Sequence, residues 1–441
     1  MEILLPFFVS STPIYFLFSN FTQMKKIILL AFAVVLFAGC FLTNKISNQN
    51  LAYVYKTSLS FLHPEFLVNN FSDDSSRLYF KVNADELLYT RQDDQKFSAI
   101  VKLQYMLFAT IDAQAIIDSG SVTLKDSKGD TVSNIITGHL DLKTGSGAFK
   151  ILQVKLTDMN RKQSVVYFVK VDKSTTQSRQ TFTVMMKNST QPYFHNYIAA
   201  TDTFRVKYRD ASVSKLFVKY YNRNFLIALP PFAIENPQGF DYHPDSLFTV
   251  DISGNDYLNF KKPGFYHFQL DTSNREGLTL YRFTEDFPST TIPQALIDPL
   301  RYINTRKEFE ELSNTQNKKL SLDKFWMGMG GNQDRSKELI RRFYNRVINA
   351  NVFFSSHMEG WKTDRGLIYI VFGAPNVVYK GENSESWTYG ESGSMLSINF
   401  NFERVNNPFT DNDYTLERAP LYETQWYRAV DSWRQGRVFS D

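Results

Sequence analysis

Ser98-Ala-Ile-Val-Lys-Leu-Gln-Tyr105 alternates apolar and polar side chains, and Ala148-Phe-Lys-Ile-Leu-Gln-Val-Lys-Leu156 repeats the pattern fifty residues later. A two-residue period puts one face of an extended chain against a core and the other in water, so each stretch predicts a strand. Working outward, Arg77–Asn83, Ser121–Leu124 and Val165–Val171 are similarly rich in β-branched and aromatic residues. Turn signals at Asp73-Asp74, Lys128-Gly-Asp130 and Gly145-Ser-Gly147 divide them. Strands at this spacing predict an antiparallel sandwich over 51–188. A second block, 189–286, carries candidate strands at 203–208, 215–220, 248–252, 264–270 and 278–283. Prolines 230, 231, 237, 244 and 263 interrupt it, which predicts a smaller sandwich with some edge strands.

Composition agrees with a β-rich, multidomain protein. The 441 residues are 43% hydrophobic and 21% charged, the balance of a chain that buries several cores. Its 39 Phe and 24 Tyr suit pleated surfaces. A net charge of +4, from 49 basic and 45 acidic residues, supplies no broad field for a polyanion and argues against a nucleic-acid partner.

Cys40 is the only cysteine, which excludes an intramolecular disulfide and a thiolate cluster. It follows Met24-Lys25-Lys26, the apolar run 27–37 and Ala38-Gly39, the order of a secretory signal with a small-residue cleavage site. Phe37-Ala-Gly-Cys40 resembles the lipobox of bacterial lipoproteins, which implies cleavage before Cys40 and lipidation of that residue; Phe37 stands where Leu or Val is usual. The acyl chains would be the membrane partner. Residues 1–23 have no basic n-region and suggest translation from Met24. Residues 1–39 thus read as an upstream extension and signal peptide, and 40–50 as a lipidated tether. No acidic cluster follows Cys40. By resemblance to Bacteroidetes-type lipoproteins, this implies an outer-membrane protein facing the periplasm.

After Pro288, Pro293 and Pro299 the composition becomes helical. Leu339, Ile340, Phe343, Tyr344, Val347, Ile348 and Val352 recur at three- and four-residue steps behind a cap at Asp334 or Ser336, predicting an amphipathic helix. Arg341, Arg342, Asn345 and Arg346 fall on its other side and read as a solvated face. Next comes Gly360-Trp-Lys-Thr-Asp-Arg-Gly366, then Leu-Ile-Tyr-Ile-Val-Phe-Gly-Ala-Pro375 and, further on, Glu385-Ser-Trp-Thr-Tyr389. This resembles the GWxTD domain of bacterial proteins over about residues 290–441. Gly328-Met-Gly-Gly331 departs from the connector usual in that family. The fold expected is therefore mainly β with an α+β C-terminal domain: two sandwich-like domains, then a mixed GWxTD domain over 287–441.

The signature reads as a helix-to-strand corner. Gly360 would take a positive φ, Trp361 would cap a core, Thr363 and Asp364 would bind backbone N–H groups, and Gly366 would allow close approach before a strand. A catalytic reading makes Asp364 a general acid with Lys362, Arg365 or His357, or pairs it with Glu382 or Glu385 in a periplasmic hydrolase or carbohydrate-active protein. Neither a second group within reach nor a perturbed pKa is visible in sequence.

Asp241-Tyr-His243-Pro-Asp245 reads as a polar loop before a metal site, and Asp251-Ile-Ser-Gly-Asn-Asp256 lacks the ordered ligands of a calcium loop. Gly328–Gly331 is no dinucleotide fingerprint. No cofactor or metal is expected. The reading that results is a non-enzymatic, lipid-anchored envelope protein with protein partners in secretion or assembly. Its contact loop is placed at Pro230-Pro231 and 236–244, with glycan recognition through exposed Tyr and Trp as a further possibility.

Overall fold

Ser98–Tyr105 lies within a twelve-residue strand of the computed structural model, which describes residues 45–439 apart from 57–59, 92–94, 129–133, 235–239, 255 and 392–396. Met1–Gly39 and Cys40, with the signal and lipidation expected there, lie outside the described residues. The chain from Ile46 onward forms one compact unit.

The first block contains β1 (Glu65–Asn69), β2 (Ser75–Asn83), β3 (Thr90–Arg91), β4 (Phe97–Phe108), β5 (Ile116–Ser127), β6 (Ile135–Lys143), β7 (Phe149–Asp158) and β8 (Gln163–Asp172). One antiparallel sheet runs β1-β2-β6. The other runs β3-β4-β7-β8, with β5 also paired to β4. Leu78, Phe80 and Val82 of the first sheet share a core with Val101, Leu103, Leu152 and Val154 of the second. The alternation thus buries one face of each sheet against the other.

The second block pairs β9 (Phe182–Met186) with β10 (Phe204–Tyr208) and forms a four-stranded sheet β12-β11-β13-β14, from β11 (Lys215–Tyr221), β12 (Ser246–Asp251), β13 (Gly264–Gln269) and β14 (Leu278–Arg282). Phe204, Val206, Val218 and Phe268 are among its core residues.

Helices follow: α1 (Pro293–Ile297), α2 (Arg306–Asn314), α3 (Lys318–Gly330), α4 (Gln333–Phe354), α5 (Asp364–Phe372) and α6 (Glu423–Arg434). They pack with the antiparallel sheet β15 (Val377–Lys380), β16 (Ser384–Tyr389), β17 (Ile398–Arg404) and β18 (Tyr414–Leu416), in that order. The molecule is mainly β, with its α-helices concentrated in this C-terminal region. None of the helices among the described residues is long and apolar enough to cross a membrane.

Four local expectations are corrected. The 367–372 run is helix, not strand: Thr363 caps it, and every residue from Arg365 to Phe372 is buried, so an apolar run with no wet face carried no usable period. The cap of α4 is Asn332, whose side chain accepts from the Arg335 N–H. Val352 is 58% exposed, and Ala350 and Phe354 complete the buried stripe of α4 instead. Arg346 does not lie on a solvated face. It is buried and donates to the carbonyls of Ile370 and Val371, last-turn acceptors that α5 leaves open, and to that of Phe439 near the C-terminus.

The segment expected as a tether is also docked from Ile46. The Leu51 N–H donates to the Val378 carbonyl, and Asn50 bridges Asn376 and Val378. Leu51, Ala52 and Tyr55 sit in the core of the C-terminal helices and sheet, not in the first sandwich. Three aromatic rings draw Tyr55 there: Phe353, Phe354 and Trp387 lie within 5.5 Å of it, centroid to centroid.

Candidate functional site

The signature begins where α4 ends. Ser355 accepts from the Gly360 N–H and donates to the Asn351 carbonyl, while the Asn351 side chain accepts from the Trp361 N–H and donates to Pro288. These bonds press a 3₁₀ turn, Gly360–Lys362, flat onto the helix. A Cβ on Gly360 would stand 1.9 Å from the Ala350 carbonyl oxygen. Gly360 is required by contact and not by the positive φ expected of it, since it is absent from the residues with positive φ. Trp361 is buried, and its carbonyl accepts from the Tyr302 hydroxyl.

Thr363 then caps α5, donating to the Gly360 carbonyl and accepting from the Gly366 N–H. A Cβ on Gly366 would meet the Gly360 oxygen at 1.8 Å. The two glycines therefore let one backbone cross another at contact distance. The corner joins helix to helix, and Gly366 sits inside the first turn of α5.

Asp364 occupies that first turn, where the helix dipole favours a carboxylate. Arg418 grips it through both guanidinium nitrogens, at 2.5 Å to Oδ1 and 3.1 Å to Oδ2, and the Leu416 N–H donates to Oδ2 at 2.7 Å. The partners proposed for it go elsewhere. Lys362 pairs with Glu359 at 2.6 Å. His357 takes a hydrogen bond from Asn407 and lies 3.6 Å from Asp413; burial lowers its pKa while Asp413 raises it.

Arg365 reaches the other carboxylate. Its Nη1 lies 3.2 Å from Glu385 Oε1, and its Nη2 donates to Asn412. Glu385 is 2% exposed and also receives Lys380 Nζ at 2.9 Å, the Tyr55 hydroxyl at 3.0 Å and the Trp387 indole N–H at 3.0 Å. Burial would raise its pKa, but Lys380 and Arg365 prevail and hold it at about 2. Burial pushes the Tyr55 phenol up to about 12, and Lys380 is raised by Glu385 and Tyr55 against the cost of burial. The carboxylate is thus charged at neutral pH and saturated with donors. Glu382 is exposed. Asp364 and Glu385 have separate partner sets: Arg418 and the Leu416 N–H hold the first, and Arg365, Lys380, Tyr55 and Trp387 hold the second.

The loop expected to meet partners is partly covered by the chain itself. Pro231 is buried and accepts from the Ala419 N–H, Leu229 accepts from Arg418, and the Ala228 N–H donates to Lys362 of the signature. Asp245 pairs with Arg223, and Asp251 closes a turn on Ser253. Among the described residues no group of three or more His, Cys, Asp or Glu side chains could hold a metal.

Sequence reasoning missed Tyr55, Lys380, Arg418 and Asn351. Tyr55 and Lys380 are 325 positions apart, and only the apolar cluster Leu-Ala-Tyr-Val-Tyr at 51–55 hinted that this segment is buried.

The chain carries a GWxTD domain: residues 264–435 match that family. The match begins at β13, earlier than the 287 boundary expected, and takes in two strands of the second block. No curated protein matches the sequence. Among solved structures, the crystal structure of red sea bream transglutaminase aligns with 53% of this chain and 33% of its own, at 9% identity and a TM-score of 0.18, a likeness too loose to bear on fold or activity. The chain spans about a third of that structure's length.

Proposed function

We propose that this GWxTD protein is a non-enzymatic, lipid-anchored component of a bacterial envelope, facing the periplasm from the outer membrane and holding protein partners in secretion or assembly. One observation carries the reading: the charges of the signature are consumed by the chain's own groups, Asp364 by Arg418 and Glu385 by Arg365, Lys380, Tyr55 and Trp387. Saturated groups of this kind fix geometry and leave no base or acid for a substrate. The lipobox-like sequence ending at Cys40 supports the anchor, and the docking of the chain from Ile46 means that a lipidated Cys40 would hold the body within a few residues of the membrane.

Growth with a clickable palmitate analogue tests the anchor. Label is expected on the wild type and lost in Cys40→Ala; an unlabelled wild-type protein would refute it. Crosslinked envelopes test the partners: the same proteins should co-purify in replicate captures, and recovery of the bare chain would count against the proposal.

A further inference from the structure

Where the two β blocks and the GWxTD domain meet, a cleft of about 250 Å³ opens between residues distant in sequence. Four of its lining residues are cations: Lys170 at the end of β8, Arg179 beyond it, Arg275 in the β13–β14 turn and Arg404 at the end of β17. Only three are carboxylates. Two of these are occupied locally, Asp172 by Ser174 and Glu276 by the Thr175 hydroxyl. The third, Asp411, faces Arg179 at 3.4 Å and Lys170 at 3.6 Å, an ion pair too long in each case for a good hydrogen bond. The Lys170 ammonium is buried and has no hydrogen bond.

The positioning of these charges differs from that of a solvated surface. Lys170 lies 3.6 Å above the Phe149 ring, and the Arg275 guanidinium lies 4.7 Å from the centre of the Tyr242 ring, which orients a cation without neutralising it. Arg404 shares the field of Asp411 with Arg179 and Lys170, and Arg275 forms no ion pair among the described residues. Gathering four like charges around one shared carboxylate costs repulsion, and burial together with the neighbouring Arg404 and Arg179 already lowers the Lys170 pKa against the pull of Asp411. A protein keeps such an arrangement where an anion completes it.

We infer that this cleft binds a small oxyanion-bearing molecule, a carboxylate or phosphate group on a sugar-sized or amino-acid-sized body. Arg275 and Arg404 supply planar, charged donors suited to an oxyanion, and Tyr242 gives an apolar wall for the ligand's ring or chain. The volume admits one such unit and not a polymer strand. Because its lining comes from all three blocks, an occupant would also fasten them together and raise thermal stability with the logarithm of its concentration once that exceeds the dissociation constant.

Calorimetric titration of the purified protein at low salt, with inorganic phosphate, glucuronate and glucose as probes, tests this. At least one anion should bind, glucose should not, and the double variant Arg275→Gln/Arg404→Gln should weaken binding at least tenfold while the ligand-free melting temperature stays the same. Phosphate alone or glucuronate alone would identify the favoured group, and either supports the proposal. Should the double variant fail to fold, Arg275→Gln alone, on an exposed turn, takes its place with the same expectation. Absence of binding by both anions at millimolar concentration, equal affinity in the variant, or glucose binding as well as glucuronate would overturn it.

Discussion

The signature corner and the three-block cleft are both rich in charge, and they treat it in opposite ways. At the corner every charge has a specific partner in the chain: Asp364 has Arg418, and Glu385 has four donors around it. In the cleft, cations outnumber carboxylates, and Lys170, Arg179 and Arg404 share the one carboxylate of Asp411. The lesson is that the most distinctive sequence in the protein marks its most saturated structure, whereas the charge left for a ligand sits on residues that no local motif connects. Substitutions at the corner should therefore damage stability, and those in the cleft should not.

The largest loss is expected from Glu385→Ala. It strands Arg365 and Lys380 without their carboxylate, and breaking a buried pair in this way costs about 3–5 kcal/mol, measured by urea unfolding. A loss below 1 kcal/mol would mean the network is looser than its distances imply. Gly366→Ala comes next. Its Cβ would need to displace backbone at 1.8 Å, beyond what side chains can absorb, so a loss of about 3 kcal/mol is expected; a neutral result would contradict the backbone crossing.

Beside the cleft, His267 is 1% exposed, its Nε2 bonds the Arg275 carbonyl and its Nδ1 meets the Thr279 hydroxyl. The carbonyl can only accept, so Nε2 carries a proton. Burial depresses its pKa from 6.5 to about 3. The unfolded chain therefore binds a proton that the folded one refuses, and stability present above pH 6.5 falls as pH drops toward 3, by about 2 kcal/mol at pH 5. The Glu385 contribution has the same sign but a lower window, lost between about 4.5 and 2. Unfolding at pH 7 and pH 5 checks this, with His267→Asn expected to flatten the slope; an unchanged slope would contradict the assignment. The smallest effect belongs to Arg275→Gln, within about 0.5 kcal/mol of wild type by thermal unfolding. A larger loss would move Arg275 from the binding side of the comparison to the architectural one.

Much of this was legible in the sequence. The two-residue period of 98–105 and 148–156 found the central strands, because each has one dry and one wet face. The same method failed at 367–372, where both faces are dry and only the Thr363 cap separates helix from strand. Arg346 was misread because periodicity assigns a face without knowing what packs on it. The need for Gly360 and Gly366 was legible as glycine, yet its cause, backbone at under 2 Å, is a tertiary fact. The cleft was invisible: Lys170, Arg179, Arg275 and Arg404 span more than 230 positions and come together only when the three blocks do.

The Asp of the signature serves structure through Arg418. A double-mutant cycle of Asp364→Asn and Arg418→Met, read by urea unfolding, isolates that link. For a two-pronged pair with both side chains about 10% exposed, the coupling should exceed about 1 kcal/mol. Additive losses, with a coupling indistinguishable from zero, would contradict it.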